Sequence, residues 1–243
     1  MQIDLGRVLL PSKSPLSGCL ITIEGPDGTG KSTQIQLLCD RLQKEGNVVV
    51  KYDFPHKSGT PIGELIGGFL RGEYGEVTPE FLALAFSLDR LESRDRLIAD
   101  LAAGHTVVCD RYVASNIAFQ RAKVDDCNRR GALVSLLNWV EYDLFKLPVP
   151  NIEIVLHADE RYFIEGQHRT RSVDVKRDYI GTSADIHEDS TSLQILVNAY
   201  YAELPPSSRL QRFSIFDAQR HRLTSEQLHH AVWRSLAPEL LIQ

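Results

Sequence analysis

Residues Gly25-Pro-Asp27-Gly28-Thr29-Gly30-Lys31-Ser32-Thr33 spell Gly-x-x-x-x-Gly-Lys-Ser, and their neighbours give that spacing a meaning. A β-branched run, Ile21-Thr-Ile-Glu24, enters the segment, and a helical pattern, Gln34-Ile-Gln-Leu-Leu-Cys-Asp-Arg-Leu, leaves it. Glycines let the backbone curl until several N–H groups point inward at one anion. The N-terminus of the following helix adds its positive dipole end. Lys31 can reach the outer phosphates of a nucleotide, and the Ser32 hydroxyl can ligate Mg²⁺. A chance Gly-rich turn is the competing reading, and strand and helix on the correct sides argue against it. Gly25, Gly28, Thr29, Gly30, Lys31, Ser32 and Thr33 are therefore expected to hold a nucleoside triphosphate. The loop does not say what receives the phosphate.

A second group begins at Asp110-Arg111-Tyr112, where the strand Val107-Val108-Cys109 delivers an acid and then an arginine to the sheet edge. The acid can hold Mg²⁺ through water, and the guanidinium can clamp phosphoryl oxygens bidentately. A plain surface ion pair would use the same two residues. A third group is Phe86-Ser-Leu-Asp89-Arg90, in which Phe86 and Arg90, four apart, share a helix face. A ring beside a guanidinium can stack a flat base and donate to a ring carbonyl. Phe81, Leu84, Ala85, Leu88 and Leu91 already form an apolar stripe there, so Phe86 by itself reads equally as core.

Further segments follow in order: Phe54-Pro55-x-x-x-x-Thr60-Pro61-Ile62-Gly63, Ser115-Asn116-x-x-Phe119-Gln120, Leu147-Pro148-x-Pro150-Asn151 and Asp185-Ile186-His187-Glu188. From about residue 18 onward the ordered set resembles the thymidylate kinase family, which transfers the γ-phosphate of ATP to dTMP. The resemblance implies roles. Asp27 lies near the acceptor sugar and its 3′-hydroxyl, and Arg111 binds the dTMP phosphate. Phe86 stacks on thymine, with Arg90 at a base carbonyl. Ser115 and Asn116 line the base pocket, Phe119 crowds the 2′ position, and Phe54 with Pro55 walls the acceptor site. Mg²⁺ falls to Ser32, Asp110 and Glu188. A homodimer is implied as well.

Phosphoryl transfer asks chiefly for positioning and charge neutralisation. The acceptor phosphate is already an anion, so His56 and His187 read as local hydrogen-bonding residues. Some relatives carry an arginine after the loop acid, where this chain has Gly28. The positive charge then falls to a lid, with Arg169 and Arg171 as candidates and Arg177 behind them; a solvated basic loop is the alternative. Lys57 stands where many relatives place a phosphate-binding arginine, and a lysine keeps the charge without the fork. Two other readings stay open. A nucleoside kinase would take a base from an acid such as Asp53. A nucleotide-dependent switch or ATPase would place a glutamate beside the metal-binding acid, where Arg111 stands instead.

The elements that must position these residues are legible. Leu20–Glu24, Val48–Tyr52, Thr106–Asp110, Ile152–His157 and Phe213–Asp217 read as strands, with helical patterns between them. Such alternation implies an α/β, three-layer P-loop NTPase-type fold with a five-stranded, mostly parallel sheet. Ligands then bind beyond the carboxyl ends of the strands, where Glu24, Asp53 and Asp110 stand. Thr78-Pro79-Glu80 supplies a cap with Pro at the first helical position, and Thr224-Ser-Glu-Gln227 is a capping box. The polar stretch from Glu165 to Asp189 reads as a loop or lid, the lid as a whole spanning about 160–189.

At 243 residues the chain suits one domain, 18–243, preceded by an irregular extension over 1–17. A net charge of −5 argues against a non-specific nucleic-acid binder. Four scattered cysteines without a C-x-x-C pair suit a reducing compartment. No apolar run reaches membrane-spanning length and the first residues do not form a secretory signal, so a cytoplasmic protein is expected.

Overall fold

The computed structural model describes residues 17–170 and 191–240, with the backbone alone at 167–170 and 237–240. Five strands, β1 (Cys19–Glu24), β2 (Val49–Asp53), β3 (Thr106–Asp110), β4 (Ile152–His157) and β5 (Leu210–Ser214), form one sheet in the order β2-β3-β1-β4-β5. Every pairing in it is parallel. Side chains alternate across it as strand geometry requires. Ile21, Ile23 and Val108 face a core with Ile35, Leu38 and Leu42 of α1 (Lys31–Lys44) and Val232 and Leu236 of α8 (Ser225–Leu240). Leu20, Val107 and Cys109 face the other side, against Leu97 and Leu101 of α3 (Pro79–Ala102) and Leu133 and Leu137 of α5 (Cys127–Asn138). Burial on both faces explains why the central strands are rich in β-branched and apolar residues on both sides rather than alternating with polar ones.

The remaining helices are α2 (Pro61–Leu70), α4 (Val113–Arg121), α6 (Glu160–Thr170) and α7 (Thr191–Glu203), with a π-helical turn at Trp139–Leu144. Both expected caps form. Thr78 Oγ1 accepts from the Phe81 N–H, and Thr224 and Gln227 exchange bonds at 2.9 and 3.2 Å. The four cysteines are free thiols, and only Cys127 is exposed.

Two expectations need correction. The fifth strand runs over Leu210–Ser214, three residues before the position expected from apolar content. It is an edge strand placed by pairing with β4, Glu153 opposite Leu210, and its half-buried residues carry a weak hydrophobic signal. The polar stretch from Glu165 is not all loop, since α6 continues to Thr170. α6 packs on α7, which packs on β4, and Phe163 of α6 joins the core beside α1, so tertiary contacts hold a helix whose own residues are largely polar.

Glu153 lies in β4, and burial, reinforced by Glu24 and opposed by Arg209, pushes its carboxyl from 4.5 up to about 7. The unfolded chain releases this proton near 4.5 and the folded protein near 7, so stability falls as pH rises between those values. Glu153→Gln removes the titration. Its thermal-midpoint advantage over wild type is expected to grow from about pH 5 to about pH 8, reaching at most ~3 kcal/mol of unfolding free energy. A difference that stays flat across that range would contradict this placement.

Candidate active site

The phosphate loop begins where β1 ends. Gly25 is required there by close approach: a Cβ would stand 2.2 Å from the Leu156 carbonyl oxygen of β4, at a φ of +137°. Gly30, at φ 93°, turns the chain into α1. Inside the loop the Pro26 carbonyl accepts from Thr29 Oγ1 at 2.9 Å and from Lys31 Nζ at 2.8 Å. Ser32 and Thr33 are exposed at the start of α1.

Residues far along the chain hold the apex of this loop. Gln194 of α7 brackets Asp27, accepting from its N–H at 2.8 Å and donating to its carboxylate at 3.0 Å. The Tyr162 hydroxyl of α6 donates to the Gly28 carbonyl at 2.6 Å. The Tyr162 ring packs edge-on to Phe163 and Phe216 and carries the Arg222 guanidinium 5.3 Å above it. A Cβ at Gly28 would sit 3.3 Å from the Tyr162 oxygen, so a larger residue there would press on this brace. Neither Gln194 nor Tyr162 was suggested by the sequence.

Arg111 follows β3 with φ 64°, a left-handed conformation uncommon for a residue with a side chain. That turn brings its guanidinium to the Asp27 carboxylate, with further bonds of 3.3 Å to the Gly25 carbonyl and Ser115 Oγ. The guanidinium lies 4.8 Å above the Phe119 ring. Burial favours protonation of Asp27, but Arg111, then Lys31 and the Gln194 bond, together hold its carboxyl below the usual range. Beneath them Glu24 is fully buried, accepting from Ser115 Oγ and from the Tyr201 hydroxyl at 3.3 Å. Burial raises its carboxyl against those bonds. Glu24 is therefore not an open strand-tip acid but part of the floor under Arg111.

Beside the loop lies a cleft lined by Phe54, Pro55, Phe86, Arg90, Arg111, Ser115, Asn116, Phe119, Gln120 and Lys123, among others. Phe86 packs with Ile66, Phe69, Leu70 and Leu82 and also lines the cleft, so the core and pocket readings are both met. Arg90 is 3% exposed and paired with Glu141 of the π-helical turn. Phe54-Pro55 is a cis peptide, and the His56 that follows is held by Asp89 through its N–H at 3.0 Å and Nδ1 at 2.8 Å. Flat apolar rings and fixed cations suit a planar base and an anion.

Eight sequence-derived candidates thus converge on the cleft: Phe54, Pro55, Phe86, Arg90, Arg111, Ser115, Asn116 and Phe119. Lys57 does not line it, although its charge is felt at Asp27. Arg169 falls in α6 with its side chain outside the described residues, and Arg171, Arg177, His187 and Glu188 lie outside them altogether. Asp110 ends β3, its carboxyl raised by burial while Lys31 and Arg111 pull the other way. Among the described residues no three His, Cys, Asp or Glu side chains form a ready-made metal cage. Ser32 offers a hydroxyl at the exposed start of α1 and Asp110 a carboxylate at the end of β3, oxygen donors of the kind that Mg²⁺ takes in small number.

A loop shaped for one phosphate chain, opening onto a cleft shaped for a second nucleotide, is the arrangement of the P-loop nucleoside monophosphate kinases. Comparison with known proteins narrows the class. The family model for thymidylate kinase matches residues 23–137. The thymidylate kinase of Mycobacterium tuberculosis is 32% identical over 188 residues, 76% of this chain and 85% of that one. That of Pelotomaculum thermopropionicum is 31% identical over 229 residues, 93% and 95%. The solved structure of a Candida albicans thymidylate kinase superposes with a TM-score of 0.68 over 92% of both chains at 24% identity, a likeness of fold. The chain belongs to the thymidylate kinase family.

The Tyr162 brace makes a direct prediction. Tyr162→Phe removes one hydrogen bond to the loop and leaves the ring packing intact. Nucleotide affinity by titration calorimetry is expected to fall about fivefold, as ~1 kcal/mol of lost loop positioning implies. Unchanged affinity would show that the bond does not shape the loop.

Proposed function

We propose that this protein transfers the γ-phosphate of ATP to dTMP, giving dTDP and ADP for dTTP synthesis. The observation that carries this reading is the Asp27–Arg111 pair, which joins the triphosphate loop to the aromatic cleft. An incoming monophosphate can replace the Asp27 carboxylate on the Arg111 fork with a second oxyanion of the same geometry. Asp27, released, stays beside the acceptor sugar. Lys31 turns from the Pro26 carbonyl to the outer phosphates of ATP. The acceptor phosphate is itself the nucleophile, so alignment and neutralisation carry the chemistry.

Ser32 and Asp110 would hold Mg²⁺, with Glu188 as a further candidate. When bound, that ion neutralises charge on the phosphate oxygens. Gly28 brings no charge to the transferring group, so Arg169 and Arg171 are assigned to supply it from the lid over about 160–189. We read 18–243 as a single kinase domain after an extension over 1–17. Four free cysteines fit a cytoplasmic setting, and no helix among the described residues is long and apolar enough to cross a membrane.

A coupled assay with ATP·Mg²⁺ over dTMP, dUMP, dGMP, dCMP and thymidine tests the activity. dTMP is expected to give the highest kcat/KM, and Lys31→Ala to lose roughly 100-fold or more while remaining folded. Clear preference for another acceptor would remove the thymine assignment. Nucleotide-dependent partner binding without turnover would favour a switch.

A homodimer is proposed on separate grounds. Phe81, Leu84 and Leu88 lie at helical spacing along α3 and are 50, 38 and 40% exposed, with Trp139 49% exposed in the π-helical turn. Light scattering is expected to give twice the chain mass, and Leu84→Glu to shift it toward the monomer; a monomeric wild type would refute the assignment.

A further inference from the structure

Glu141 has no solvent exposure, and three side chains converge on it, two of which, Arg90 and Asn116, line the cleft. Its carboxylate accepts from Ser87 Oγ at 2.8 Å, from Arg90 Nε at 2.7 Å and Nη2, and from Asn116 Nδ2 at 3.1 Å. A carboxylate only accepts hydrogen bonds, so every neighbour must turn a donor toward it. For Asn116 this settles the amide. Its NH₂ is taken by Glu141 and by the Ala83 carbonyl at 2.9 Å. Oδ1 is left without a partner among the described residues, on a side chain only 4% exposed. For Arg90, two donors are committed to Glu141 and the Nη1 hydrogens are not.

Arg90 and Asn116 both line the cleft, as does Gln120, whose buried Oε1 also lacks a partner. The polar wall is therefore one fixed donor beside uncommitted acceptors. A pyrimidine with a keto–imide edge presents the complement, a carbonyl oxygen and a ring N–H. An aminopyrimidine presents the reverse, an NH₂ facing the guanidinium and a bare ring nitrogen facing an oxygen. Such mismatches leave buried polar groups opposed, which discriminates far more strongly than shape alone.

We propose that Glu141 is a positioning residue that sets the donor–acceptor polarity of the base wall, so that the cleft selects keto–imide over aminopyrimidine nucleotides. The proposal rests on the cleft being the acceptor-nucleotide site. Its placement in the π-helical turn is in keeping, since such widened turns recur at functional sites.

Binding is the measurement of choice, because it reads the wall whether or not phosphate is transferred. Calorimetric titration of wild type and Glu141→Gln with dTMP and dCMP gives the preference ratio. A glutamine can offer its own NH₂, which lets the Asn116 amide turn over. The dTMP:dCMP ratio is expected to fall at least about tenfold in the variant, a change that loss of packing alone would not produce. A folded variant that keeps the wild-type ratio overturns the proposal. Side-chain amide exchange of Asn116 in the wild-type protein, followed by NMR, supplies a second test independent of the variant's folding. Both hydrogens are expected to be protected and to remain so when dTMP binds. Exchange at solvent rate, or transfer of the NH₂ to the base, overturns the proposal. Failure of dTMP turnover in the acceptor assay would instead refute the proposed reaction, and is thereby distinguished.

Discussion

The ion pair between Arg111 and Asp27 is the contact on which the rest of the site depends. It spans 84 positions of sequence and joins the phosphate loop after β1 to the aromatic cleft beside it. Reaching it requires Arg111 to adopt a left-handed backbone, a conformation that persists only when its surroundings over-determine it. Those surroundings are present. The Arg111 N–H is held by the Ile23 carbonyl at 3.0 Å, its guanidinium lies over Phe119, and Ser115 and Glu24 support it from below.

Carboxylates organise this site from beneath. Glu24, Asp89 and Glu141 have no solvent exposure, and each is bonded to a residue that lines or flanks the cleft. Isolated buried charge is costly, and pairing with hydrogen bonding offsets the desolvation. The consequence is rigidity. Arginine has many rotamers in water, and Arg90 held on two nitrogens by Glu141 retains few. Preorganised dipoles of this kind need no rearrangement when charge arrives.

Much of this was legible from residue order. The phosphate loop, the strand-to-acid junction at Asp110 and the helix caps are local patterns, in which the residues that must cooperate are within a few positions of one another. Phe86 and Arg90 share a helix face for the same reason. Apolar content points to a fifth strand three residues late because an edge strand takes its position from its partner, and the helical start of the polar stretch after Glu165 is hidden because partner surfaces, not its own apolar content, hold α6.

The amino-acid sequence by itself determined that a phosphate-binding loop sits between a strand and a helix in a parallel α/β sheet, and that the cleft residues occur in one ordered series. Backbone conformation and short-range periodicity carry that information. Only the tertiary structure decided which groups hold the site together. Glu141 meets Arg90 across 51 positions, Tyr162 meets Gly28 across 134, Gln194 meets Asp27 across 167, and Tyr201 meets Glu24 across 177. Spacing cannot reveal such pairs. They exist because a polar group removed from water must find a partner, and in a folded chain that partner is set by which elements pack against each other.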